Sequence, residues 1–201
     1  MPTPEEITDF TSISTPAGAD PWVQGKGPST DISIAESDPA WPSNFERLAS
    51  SIRQALGDVA LSVEHVGSTS VPDLPAKPII DIDITVRDPD EEDSYIPALF
   101  VLGLVHTVRE PWWHGHRALR GPDPRCNIHV FAPTSPEVVR HRLFRDWLKD
   151  HPEDRAVYAA AKREASAVTN AEGGHVMDYN ARKEEVVHAI YDRIFRSAGW
   201  R

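Results

Sequence analysis

Eight consecutive residues, Ile79-Ile80-Asp81-Ile82-Asp83-Ile84-Thr85-Val86, constrain this chain most. From Ile80 onward, apolar β-branched residues alternate with Asp81, Asp83 and Thr85. A period of two is that of a β-strand with one buried face. Asp81 and Asp83 therefore project from the same face. A solvated face alone would give such alternation. Two neighbouring carboxylates also repel unless a cation or a proton relieves them. A hard, oxygen-seeking cation such as Mg²⁺, or another divalent ion, suits that pair, especially when shared with substrate phosphates.

The segment ahead of the strand sharpens the reading. Ala60 to Val66 reads as a strand, and the polar turn Gly67-Ser68-Thr69-Ser70 follows it. A glycine lets backbone approach a ligand closely. The turn amides and the hydroxyls of Ser68, Thr69 and Ser70 are suited to holding a phosphate. Twelve residues separate Ser68 from Asp81, and three prolines between Val71 and Pro78 exclude regular helix there.

Elsewhere the periodicity is mostly helical. Trp41, Phe45, Leu48, Ile52 and Leu56 recur at spacings of four and three after a Ser37-Asp38-Pro39 start, and Gly57 ends the run. Asp88 to Leu102 reads as a helix closed by Gly103. Strands are expected at Leu104–Val108, Arg117–Leu119 and Asn127–Ala132. Helices are expected at Pro136–Lys149, Pro152–Val168 and Val176–Phe195. Residues 1–30, rich in Pro, Gly, Ser and Thr, read as a flexible tail before a domain at 31–198, although Phe10 and Trp22 are potential anchors. The order gives an α+β fold: a mixed β-sheet flanked by helices, with a helical C-terminal part.

Composition narrows the function classes. The 201 residues carry a net charge of −10, which argues against a general nucleic-acid-binding surface. A local basic pocket on an acidic protein remains compatible with a nucleotide. Cys126 is the only cysteine, so no internal disulfide forms. No apolar run approaches the ~20 residues of a membrane span, and the N-terminus lacks a signal pattern, so a cytoplasmic protein is expected. No Ser nucleophile elbow, dinucleotide Gly-x-Gly-x-x-Gly or Walker loop is present.

The stretch Glu64-His65-Val66-Gly67-Ser68-Thr69-Ser70-Val71-Pro72, then Leu74, then Ala76-Lys77-Pro78-Ile79-Ile80-Asp81, resembles the hallmark of the GrpB (UPF0157) family. The resemblance continues through Asn127-Ile128-His129-Val130, Phe144-Arg145-Asp146-Trp147-Leu148, Tyr158, Lys162, Asp178-Tyr179 and Lys183. It covers roughly residues 31–195. It implies a nucleotidyltransferase-like fold, in which carboxylates bind a divalent metal and a Gly-Ser loop holds nucleotide phosphates. The expected partners are then a nucleoside triphosphate and a small-molecule acceptor. Such enzymes often carry a third carboxylate on a later strand, and the matching position here is His129. His129 is thus expected as metal ligand or general base, or as the mark of a non-catalytic nucleotide- or coenzyme-binding module.

Further site residues follow from charge and position. Lys77 lies close to the acidic strand, and His65 precedes the Gly67-Ser68 loop. Arg117 and Arg125 lie in the segment before the strand at 127–132 and can grip phosphate bidentately. Arg142 and Arg145 are three apart on a helix, and with Lys183 they are expected to line the other wall of a cleft.

Overall fold

The computed structural model describes residues 1–11, 13–23 and 25–201. Its sheet has five strands, β1 (Ser62–Val66), β2 (Ile80–Thr85), β3 (Val105–Glu110), β4 (His116–Pro122) and β5 (Arg125–Phe131). They lie in the order β1-β2-β5-β4-β3, with only β2 and β5 parallel. The helices are α1 (Pro4–Thr8), α2 (Trp41–Leu56), α3 (Ile96–Val101), α4 (Pro136–Asp150), α5 (Pro152–Ala171) and α6 (Val176–Ser197). The mixed sheet with flanking helices and a helical C-terminal part is the architecture the sequence implies. Among the described residues, no helix is long and apolar enough to cross a membrane.

Alternation decides which face is covered. Ile80, Ile82, Ile84, Leu119, Ile128 and Val130 form one core with Trp41, Phe45, Ala49, Ile52 and Leu56 of α2 and with Ile96 and Leu99 of α3. In α2 the buried side chains recur at spacings of four and three, the period that places them on one helix face. The Asp38 carboxylate accepts the Ala40 N–H at 2.8 Å ahead of α2, and Gly57, at φ 51°, ends it. A second core joins Leu148, Tyr158, Ile190, Ile194 and Phe195 of the C-terminal helices to Val71 and Leu74 of the proline-rich loop. The polar sheet face, with Asp81 and Asp83, belongs to neither core.

Two expectations change. The helix expected over 88–102 is only the six-residue α3, preceded by a 3-10 turn at Glu92–Ser94. Pro97 fits the first turn of a helix, where no N–H is needed, and thus favours a late start. Asp90 and Glu92 are instead held by Arg117 and Arg109.

Residues 1–30, expected to be a tail, lay two pieces onto the domain. Thr3 and Glu6 form a reciprocal capping box on α1, and Ile7 is buried in the second core. Residues 21–23 continue the sheet beyond β3, with Val23 N–H donating to Thr107 O at 3.0 Å. The aromatic anchors explain both attachments: Phe10 packs at a tilt against Tyr191 and His188, and Trp22 lies under Arg120.

Arg140 ties α1 down. It is 4% exposed and donates to Ile7 O at 2.8 Å, to Glu6 O at 2.9 Å and to Asp9 O, while pairing with Glu137. Hydrogen bonds from a charged donor are worth about 1.5–3 kcal/mol each. Arg140→Met is therefore expected to raise amide exchange across residues 3–10 by at least about tenfold, leaving β2 and β5 protected. Hydrogen-exchange mass spectrometry measures both regions in one experiment.

Candidate functional site

Strand register assembles the site. Asp81 is paired with Asn127, and Asp83 with His129, across the parallel β2–β5 ladder. Paired residues of neighbouring strands share a face, so the four form a polar patch two residues deep. Asn127 Nδ2 donates to Asp81 at 2.8 Å. Burial raises the Asp81 pKa above the usual carboxylate range, although Asn127 and Lys77 favour its charged form.

Asp83 lies deeper, at 1% exposure. One of its oxygens, Oδ2, faces His141 Nδ1 at 2.8 Å. The other, Oδ1, is buried with no hydrogen-bond partner among the described residues. Burial opposes charge on His141, but the Asp83 carboxylate outweighs it, and with Glu137 and Asp81 pushes His141 up to about 9. At neutral pH the ring is an imidazolium that partly balances the acidic pair.

That ion pair has a pH signature. A folded-state pKa raised above the ordinary 6.5 gives stability that is complete below about 6.5 and lost as pH rises through about 9. Thermal unfolding is expected to show a Tm decline across that window. His141→Gln is expected to flatten it.

The Gly67 turn closes over Asp81. Gly67 has φ 66°, and a Cβ built on it would lie 2.4 Å from Asp81 Oδ2. Only glycine permits both that backbone and that approach. Ser68 leads from this turn into a cavity of about 460 Å³, also lined by His141, Arg145, Tyr158 and Lys183. Lys183 Nζ sits over the rings of Tyr158 and Tyr179, at 5.8 and 5.3 Å. Arg145 donates to Glu64 at 3.1 Å and to His65 O at 3.0 Å.

Several expected site residues lie elsewhere. His65 projects from the opposite sheet face, where its ring stacks on Phe45 at 4.6 Å and burial pushes it down to about 4. Thr69 is buried and donates to Ile79 O at 3.2 Å, fastening the turn to β2. Ser70 bonds back to Gly67 O within the turn. Arg117, paired in register with Val130, faces away from Asp83 and is locked by Glu92 and Asp90, each at 2.6 Å. Arg142 does not line the cavity; the α4 face that does carries Glu137, His141 and Arg145. Lys77 and Arg125 line a separate pocket on the far side of Asn127.

His129 ends a part-buried polar chain. Glu110 Oε2 lies 2.9 Å from His116 Nδ1, and His116 Nε2 lies 3.0 Å from His129 Nδ1. If the His116 Nδ1–H faces Glu110, its Nε2 accepts from His129 Nδ1–H, which leaves His129 Nε2 as a lone pair. Burial and the neighbouring His116 push His129 down to about 3, so that ring stays neutral.

Two side chains that the structure brings to the candidate site were not among the expected site residues. His141 lies beside the expected Arg142 but, on α4, shares a face with Glu137 and Arg145 at spacings of four. That i, i+4 row was the available signal. Arg120 pairs in register with Asn127, and only its alternation within β4 hinted at this.

Two carboxylates, one with an unpartnered buried oxygen, fit a divalent cation that completes its shell with phosphate and water oxygens. Among the described residues, no cluster of three or more His, Cys, Asp and Glu side chains has metal-holding geometry.

Comparisons with known proteins agree with the fold. A family model described as GrpB protein matches residues 31–193. A UPF0157 protein of Halalkalibacterium halodurans is 45% identical over 162 residues, 81% of this chain and 82% of that protein. A dephospho-CoA kinase of Mycolicibacterium paratuberculosis is 30% identical over 85% of this chain but only 48% of its own. The crystal structure of the conserved protein GrpB from Enterococcus faecalis superposes with a TM-score of 0.71 at 30% identity, covering 84% of this chain and all of that one. The chain therefore belongs to the GrpB family.

Proposed function

We propose that this GrpB-family protein is a metal-dependent nucleotidyltransferase, moving a nucleotidyl group from a nucleoside triphosphate to a small-molecule acceptor. The observation that carries this reading is Asp83 Oδ1, a buried carboxylate oxygen without a partner, beside Asp81 and behind the Gly67-Ser68 turn. Asp81 and Asp83 would hold the divalent ion. When bound, such an ion supplies positive charge against the charge developing on the transferred phosphoryl group. The Ser68 turn, Arg145 and Lys183 surround the cavity where the triphosphate would lie. With its ring neutral, and with Nε2 unprotonated when His116 Nδ1–H faces Glu110, His129 would accept a hydrogen bond there.

The test is thermal shift with each nucleoside triphosphate and with coenzyme-like nucleotides, with and without Mg²⁺. At a hundredfold excess over Kd, binding stabilises by about 2.7 kcal/mol, a Tm rise of several degrees at this size. The expected result is a rise that requires the metal. A wild-type protein that responds identically with and without Mg²⁺ overturns the proposal.

A second reading, a non-catalytic nucleotide-binding module, is favoured by one observation. His129 occupies the place expected for a third carboxylate and is engaged by His116. A pyrophosphate-release assay over a metabolite panel separates the two, since the module binds without turnover.

A further inference from the structure

A second pocket lies beyond Asn127, sharing no lining residue with the cavity at Ser68. Its volume is about 140 Å³. That is roughly half of the ~300 Å³ at which ligand cavities for whole small molecules begin. It suits a single compact group. Lys77, Arg120 and Arg125 line it, with Ser29 and Asn127, and no carboxylate does.

The three cations are poorly neutralised. Arg120 is half-buried and has no carboxylate partner among the described residues; its guanidinium lies 5.9 Å from the centre of the Trp22 ring. Lys77 is half-buried and makes no ion pair among the described residues; its Nζ lies 5.4 Å from the Tyr179 ring centre. Arg125 pairs with Asp31 at 2.7 Å, but both side chains are nearly half exposed, and such pairs contribute little. Burial lowers the pKa of Lys77 and of Arg120; at Lys77 the Asp81 carboxylate acts in the opposite direction, while Lys183, Arg120 and Arg125 add repulsion. Bringing three such charges together costs mutual repulsion that an anion bound among them relieves.

The pocket also has a fixed relation to Asp81. Arg120, Asn127 and Asp81 form one row across β4, β5 and β2. Asn127, which donates to Asp81, stands between the pocket and the carboxylate, one strand spacing (about 4.8 Å) from each neighbouring strand.

We infer that the pocket of Lys77, Arg120, Arg125 and Asn127 is a phosphate subsite that anchors a phosphorylated acceptor on the opposite side of Asp81 from the Ser68 cavity. The role as acceptor site rests on the transferase reading; binding of the anion does not. Three cations match a doubly charged phosphate better than a single carboxylate, and arginine presents the fork that phosphate oxygens accept.

The probe is inorganic phosphate, titrated calorimetrically into the full chain without metal. Wild type is expected to bind it. Arg120→Met and Lys77→Met are each expected to weaken binding by at least about tenfold, the loss of one charge-assisted contact. Saturating nucleoside triphosphate with Mg²⁺ is expected not to displace phosphate. Arg125→Gln, at an exposed position, carries the test if Arg120→Met fails to fold by circular dichroism.

Absence of phosphate binding by wild type, or binding indifferent to Lys77 and Arg120, overturns the subsite. Displacement by the triphosphate assigns the pocket to the nucleotide and overturns the acceptor role. Phosphate binding as expected, with no metal-dependent nucleotide binding, ends the transferase reading and the acceptor role while the anion pocket stands.

Discussion

Asp83→Asn is expected to abolish the Mg²⁺-dependent thermal shift and to reduce any nucleotidyl transfer by at least about a hundredfold, since even outer-shell partners of a metal ligand cost 10- to 100-fold. Asp83 is the deeper acid, with one oxygen on His141 and the other without a hydrogen-bond partner among the described residues. Asparagine keeps the volume and removes the charge. The same change has a second consequence at α4. Without the Asp83 carboxylate, burial of the His141 ring is opposed only by Glu137 and Asp81, and its pKa falls from about 9. The alkaline loss of stability should therefore weaken together with the metal response. Unfolding at pH 7 and pH 9.5, combined with pyrophosphate release, measures both consequences. A variant that weakens the pH dependence yet keeps a Mg²⁺-dependent shift would show that the cation binds elsewhere.

Gly67→Ala is expected to have the next largest effect. A non-glycine residue in left-handed backbone costs about 1–2 kcal/mol. Here the added methyl would also press on Asp81 Oδ2 at 2.4 Å, with the Asp81 Cβ at 2.9 Å. Neither atom can yield easily, because Asp81 is fixed by β2 and by Asn127. A stability loss of at least about 1–2 kcal/mol is expected from the backbone alone, or a Tm lower by about 2–8 °C. Nucleotide response should fall further than stability, because relief of the clash moves either the turn or the carboxylate. Ser68→Ala provides the contrast, keeping the turn and removing one hydroxyl. Equal nucleotide binding by Gly67→Ala and wild type would dissociate this turn from the site.

The elements were readable where the pattern is local. The Ile80, Ile82 and Ile84 alternation specified β2 and the shared face of Asp81 and Asp83 without reference to any partner. The four-and-three spacing from Trp41 to Leu56 specified α2, and the C-terminal helices began within a residue of their expected starts. The stretch 88–102 failed because its acidic half is held by Arg109 and Arg117, residues brought near by β3 and β4. The membership in the GrpB family was likewise legible, because its motif is a contiguous block around the Gly67-Ser68 turn.

The basic residues were another matter. Positive charge marks a candidate phosphate ligand, but a guanidinium is useful only where the chain directs it. Register turned Arg117 to the face opposite Asp83, where Glu92 and Asp90 hold it. The helical phase of α4 placed Arg145 in the cavity, excluded Arg142 and delivered His141 to Asp83. Strand order β2-β5-β4 placed Arg120 in line with Asp81, a relation between residues 39 apart that no local period encodes.

By itself, then, the sequence determined the acidic strand, the glycine turn before it and the side of the sheet both acids occupy, because backbone periodicity and sterics act between near neighbours. Only the tertiary structure decided what surrounds those acids: His141 as their counter-charge, one unpartnered oxygen on Asp83, and two separate basic pockets flanking Asp81. Those depend on strand order, register and helix rotation, which are set by burial across the whole domain.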